Sequence, residues 1–138
     1  MAQFDEKVAL FRRYAKSIMR DFEVYVKGEI PVKKIDNAIK AYAYSFGIDR
    51  STIIGLCDTT ILGSGKKGAI FTDKKVYVKD SFEDARCFRY SEIVSMDDRQ
   101  NLVIECESGS PIEFPGEFYH ANELKAFLEE MMKLVKND

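Results

Sequence analysis

Apolar and polar positions along the 138-residue chain change their period partway through. Over residues 4–27, apolar side chains recur at Phe4, Val8, Phe11, Ala15, Ile18, Phe22 and Val26, spaced by threes and fours. That spacing lines one face of a helix and predicts a long amphipathic one. Gly28 is its expected stop. Pro31 opens a second predicted helix reaching Phe46, with Val32, Ile35, Ile39, Tyr42 and Phe46 on its inner face and Gly47 as C-cap. The short break between the two predicts an antiparallel helical hairpin.

Beyond residue 51 the pattern turns to strands. Residues 52–62 are rich in β-branched side chains and nearly uncharged, as in one buried strand or two short ones. Residues 63–68 read as a turn. The strongest β signal is 68–79, where the runs 69–72 and 76–78 flank a turn at Asp73, Lys74 and Lys75. Asp73 is expected to bond the backbone two residues on. After a polar connection at 81–84, strands are predicted at 85–90, 93–96, 102–106 and 112–114. In 102–106 the alternation is clean: Leu102, Ile104 and Cys106 face one way, Val103 and Glu105 the other. Residues 121–136 form the last predicted helix, with His120 or Asn122 near its start and Leu124, Phe127, Leu128, Met131 and Leu134 inward.

The predicted class is α+β: two helices, about seven short antiparallel strands forming a sandwich or open barrel, and a closing helix that caps it. The N-terminal helical hairpin, 1–50, is expected to pack on the sheet of 51–138 in one compact unit.

Composition adds limits rather than a function. Hydrophobic residues make up 46% and charged ones 32%, which excludes a disordered chain. The length suffices for a core without disulfides or a structural metal. Net charge is −2, but it is unevenly spread: +3 over 1–50, +2 over 51–91 and −7 over 92–138. An acidic C-terminal third repels phosphates, so nucleic acid is not an expected partner. Cys57, Cys87 and Cys106 are odd in number and lack metal-ligand spacing, which reads as free thiols in a reducing compartment. With neither a leader-like apolar core near the N-terminus nor a run of the roughly 20 apolar residues that span a bilayer, the expected location is cytoplasmic.

Residues that carry chemistry are sparse. Gly63-Ser-Gly-Lys-Lys-Gly68 resembles a phosphate loop only superficially, because a P-loop opens a helix and Gly68 opens a strand. Lys66 and Lys67 there, with Lys74 and Lys75 in the next turn, are the candidate contacts to an anionic ligand or acidic partner. His120 is the single histidine and reads as a capping or surface residue. Asp97 and Asp98 read as turn residues, and Glu105, Glu107, Glu113 and Glu117 as a solvated sheet face. No catalytic residue, cofactor or metal ligand is expected.

The strand-then-helix order has a recognisable counterpart. Gly68, Ile70-Phe71, Thr72, Asp73, Lys74 and Val76-Tyr77, followed by Tyr90 and Ile93, resemble the pleckstrin-homology-like (PH-like) superfold, specifically its bacterial PH-like and GRAM-like domains. The resemblance covers about residues 52–136 and leaves the N-terminal segment outside. Two departures matter. The chain has no Trp, where many eukaryotic members carry one in the closing helix, and Phe127 stands nearest. The strand after Lys66 and Lys67 lacks the Arg of the inositol-phosphate signature, so phosphoinositide binding is not implied. What the resemblance implies is a non-enzymatic binding or scaffold module. Its first expected partner is a protein or a second copy of the chain; the alternative is an anionic membrane surface reached through the basic loops.

Overall fold

The computed structural model describes residues 2–138. Helix α1 (Ala2–Tyr14) is followed by strand β1 (Glu23–Val26) and helix α2 (Val32–Ala38), which runs on through a π turn at Ile39–Ala43 and a 3-10 turn at Tyr44–Phe46. Seven strands come next: β2 (Ile53–Asp58), β3 (Gly68–Thr72), β4 (Lys75–Lys79), β5 (Arg86–Arg89), β6 (Ile93–Asp97), β7 (Leu102–Cys106) and β8 (Ile112–Phe114). Helix α3 (Ala121–Lys136) closes the chain. Strands β1 to β5 form one antiparallel sheet in sequence order, and β6 to β8 form a second. The two sheets do not close into a barrel. A single bridge between Met19 and Tyr119 ties the start of the first sheet to the segment after β8.

The predicted helical hairpin is corrected. The first helix ends at Tyr14 rather than near Lys27: the amide of Ile18 and the hydroxyl of Ser17 both donate to the Tyr14 carbonyl, and the chain turns there. Glu23–Val26 is then a strand, in register with Asp58 to Gly55 of β2. Its two β-branched residues and tyrosine gain a ladder that the 3–4 spacing gave no hint of. The described residues therefore hold eight strands where about seven were expected. The strand expected over 52–62 stops at Asp58. The second helical stretch, the 68–79 hairpin and α3 lie where the sequence put them.

Two apolar layers hold the elements together. Between the sheets, α1 and α3 bring Leu10, Phe11, Leu124, Phe127 and Met131 against Ile54, Phe71, Leu102, Ile104 and Phe114. Phe11, Phe71 and Phe127 form a mutual ring cluster with centroids 5.2 to 5.6 Å apart. On the other face of the first sheet, α2 and its π turn cover Ile53, Leu56, Ile70 and Tyr77 with Ile35, Ile39 and Tyr42. Strands β2 and β3 are thus buried on both faces, which is why residues 53–57 read as a continuous apolar run rather than an alternating one. The segment 1–50 consequently wraps the sheet, with α1 on one side and α2 on the other.

Candidate functional site

The pairing register fixes which loops share an end. Asp58, the last residue of β2, pairs with Gly68, and Gly68 pairs with Lys79, the last residue of β4. The β2–β3 loop (59–67) and the β4–β5 loop (80–85) therefore leave the same end of the sheet. The hydrogen bond from Lys67 Nζ to Ser81 Oγ, at 3.0 Å, joins them. The Thr72–Lys75 turn lies at the opposite end, about 16 Å away at the rise of a five-residue strand. The candidate lysines accordingly split: Lys66 and Lys67 sit on the loop end, Lys74 and Lys75 at the far turn, and the structure does not bring the pairs together.

The β2–β3 loop is pinned at its base by a polar network around Asp58. This carboxylate is buried at the end of β2. Its Oδ1 accepts from the Thr60 amide (2.9 Å) and hydroxyl (2.6 Å), and its Oδ2 accepts from Lys34 Nζ at 3.1 Å. Thr60 Oγ1 in turn accepts from the Ser64 amide at 2.8 Å. Asn37 Nδ2 donates to the Ser64 carbonyl at 2.9 Å, so α2 holds the loop from the side. The Lys34 ammonium also reaches Glu23 Oε1 at 2.9 Å and lies 5.0 Å from the centre of the Tyr25 ring. Burial alone would depress the Lys34 pKa. Contacts to Tyr25, Glu23 and Asp58 outweigh it and hold the group above the ordinary lysine value. At Gly68 a β-carbon would run into the Cys57 carbonyl, so only glycine lets the loop return this close to β2.

This pinned loop carries its two largest apolar residues outward. Ile61 and Leu62 are 94% and 95% exposed. On the neighbouring loop Phe82 is fully exposed and sits at φ 65°, a left-handed conformation that costs a side-chain-bearing residue about 1–2 kcal/mol. The turn around it is held by the Ser81 amide donating to Asp80 Oδ1 at 2.8 Å, and by Lys79 Nζ donating to the carbonyls of Asp80 (3.1 Å) and Glu83. Both loops thus spend hydrogen bonds at their bases while presenting apolar tips to water.

A cleft of about 600 Å³ opens beside this end, between the β4–β5 loop and β8, with Val78, Phe114 and Tyr119 in its lining. Its cations hold the walls together: Lys79 as described, and Arg86 through Ser110 Oγ at 3.2 Å and the Ser110 carbonyl at 2.6 Å. Of the other residues with chemical potential, Glu113 also lines the cleft. Asp97 accepts from the Arg99 guanidinium at 2.6 and 3.1 Å, and that pairing holds its pKa down at about 2. Asp98 lies 3.9 Å from Lys125. His120 stands at the N-cap of α3 with no side-chain capping bond. Cys57 is buried and its thiol pKa is pushed up by burial, while Cys87 and Cys106 are partly buried; all three are free thiols. Glu105, Glu107, Glu113 and Glu117 are exposed.

Sequence reasoning missed the apolar tips. Ile61 and Leu62 look like a continuation of the strand before them, and Phe82 is hidden in a polar connection. The available signal was Asp58-Thr59-Thr60, an acceptor followed by hydroxyls that ends the strand before the two aliphatic residues arrive. No protein-family model, no curated protein and no solved structure matches this chain. The reading of its function therefore rests on the geometry.

Proposed function

We propose that this chain is a non-enzymatic binding module of PH-like architecture that engages its partner through the loop end of the five-stranded sheet. The PH-like part of the reading is supported by the succession of β2 to β5, then β6 to β8, then α3, with Phe127 at the centre of the aromatic cluster. The observation that carries the function is the combination at the β2–β3 loop: a base fixed by buried polar bonds and a tip of two fully exposed aliphatic side chains. A loop serving only as a connection has no use for either feature, since burying each side chain would contribute about 1.5–3 kcal/mol.

A second reading has its own observation. Tyr44 and Phe46, at the end of the helical stretch behind β4, are exposed, with Phe46 packing its ring 6.0 Å from Tyr77. This aromatic pair supports the protein-partner or self-assembly role that the resemblance implies.

The test is complementation of a deletion in the native host by the I61S/L62S double variant. Because neither side chain packs on anything, the variant is expected to accumulate normally and to keep its urea midpoint, yet fail to complement. Full complementation at normal abundance would remove the loop end from the function.

A further inference from the structure

The cleft between the β4–β5 loop and β8 stands on observations of its own, separate from the apolar loop tips. We propose that it binds a small organic cation, an ammonium group carried on an aromatic or aliphatic body. Its volume of about 600 Å³ is that of a small-molecule pocket. Val78, Phe114, Phe118 and Tyr119 contribute apolar and aromatic surface to the lining, with the Phe114 and Tyr119 rings edge to face at 5.0 Å. Aromatic rings attract organic cations through their quadrupoles.

The charges around this surface favour a cation over an anion. Lys79 and Arg86 share the lining with four carboxylates, those of Asp80, Glu83, Asp84 and Glu113, which leaves a formal balance of −2. Both cations direct their donors to neutral groups: Lys79 to the carbonyls of Asp80 and Glu83, Arg86 to the hydroxyl and carbonyl of Ser110. Asp80 accepts from the Ser81 amide, and Glu113 from Asn101 Nδ2 at 2.8 Å. Among the described residues none of the four carboxylates is ion-paired to a cation of the chain. An entering phosphate would meet cations already engaged and carboxylates that repel it, whereas an ammonium group would meet unneutralised negative charge.

The independent observation is a polar group without a partner. Tyr119 lines the cleft yet is only 3% exposed, and its hydroxyl forms no hydrogen bond among the described residues. Tyr42 is likewise unpartnered, but it is sealed in the core and has no place in the cleft lining. Burial, together with nearby negative groups that include Asp80 and Asp58, raises the Tyr119 pKa well above that of a free tyrosine. The phenol therefore keeps its proton, and its oxygen can still accept from an ammonium N–H. The same negative field that holds the phenolic proton attracts a cation.

The test is titration of the full chain, followed by amide chemical shifts, with three probes that carry a phenyl ring on a short chain. They are 2-phenylethylamine, protonated at neutral pH, the neutral 2-phenylethanol and the anionic 3-phenylpropanoate. The amine is expected to move the amides of 78–86 and 110–119, with a dissociation constant on the order of 1 mM for so small a probe. The alcohol should bind more weakly and the anion not at all. E83Q/D84N/E113Q changes three exposed carboxylates and should weaken the amine about fivefold or more, leaving the alcohol unaffected. Y119F should weaken it about threefold while keeping the urea midpoint, because the lost hydroxyl bonds nothing in the chain. An amine that moves none of these amides by roughly 10 mM, or an anion that binds more tightly than the amine, overturns the assignment. So does a triple variant or a Y119F variant that binds the amine as tightly as wild type. None of these outcomes bears on complementation by I61S/L62S, so the cleft and the loop tip stand or fall separately.

Discussion

The two ends of the β3–β4 hairpin use the same device for different purposes. At the far turn, Thr72 Oγ1 accepts from the amides of Lys74 (3.3 Å) and Lys75 (2.9 Å) and donates to the Lys75 carbonyl at 2.9 Å. The turn-closing role expected of Asp73 thus falls to the preceding threonine. At the loop end, Thr60 Oγ1 gathers the Ser64 and Gly65 amides in the same way. Each end has a threonine hydroxyl as its hub. The far turn then spans two polar residues, whereas the other loop spans two aliphatic residues that touch nothing. Local hydrogen bonding alone does not separate a structural turn from a presenting one; what the fixed backbone holds in water does.

The largest expected effect falls on the far turn. Thr72→Pro removes both the hydroxyl hub and a backbone donor in a strand buried on both faces, and the carbonyl of Thr72 also accepts from the Tyr90 hydroxyl at 2.8 Å. Expression trials should yield no cooperatively folded soluble protein; a folded variant with a sharp urea transition would mean that this turn is dispensable and the comparison is wrong.

Next comes Asp58→Ala at the loop end. It leaves the Lys34 ammonium in a partly buried site without its most buried partner, which costs about 3 kcal/mol. Urea unfolding should report that loss. Hydrogen exchange should quicken at the Thr60, Ser64 and Gly65 amides while the Lys75 amide keeps its protection. Equal acceleration at both ends would show that the two hubs are not independent.

The smallest effect is a pH dependence shared by the two ends. Burial, with a contribution from Asp73, raises the Tyr90 pKa well above that of a free tyrosine. The unfolded chain therefore releases this proton first, so the stabilisation is complete below about pH 10 and is lost as pH rises beyond it. Lys34 is also raised, and its share is complete below the ordinary lysine value of about 10.4 and lost above it. The urea midpoint should stay level from neutrality towards pH 10 and then fall. Tyr90→Phe should make that fall shallower by about one proton, up to about 1.4 kcal/mol per pH unit; an unchanged slope would dissociate Tyr90 from it.

What could be read from the sequence follows from where side chains go. The hairpin and α3 were legible because their apolar periods match the faces they bury. Glu23–Val26 was not, because Phe22 and Val26 continue the helical spacing begun at Phe4, and the break after Tyr14 contains neither Gly nor Pro. The Glu-Val-Tyr-Val composition was the countervailing signal. The lysines were legible as charges on two successive turns, and the strand between those turns already implied the separation that the register shows. Ile61 and Leu62 show the limit most directly: an apolar residue that is presented and one that is buried look alike until the packing around them is known.

The approach of Phe11 to Gly55 has a consequence for how the molecule may be divided. The ring occupies the space where a β-carbon at Gly55 would stand, and Phe11 is wholly buried there. Glycine in β2 is thus a socket that a residue more than forty positions earlier plugs. A fragment starting at residue 51 would keep every strand of the PH-like resemblance. It would still lose the plug, leave the Phe71 and Phe127 rings wet and expose the unpaired edge of β2 where β1 had lain. Such an edge is a template for aggregation. The boundary that the resemblance draws in the sequence is therefore not a place where the chain can be cut.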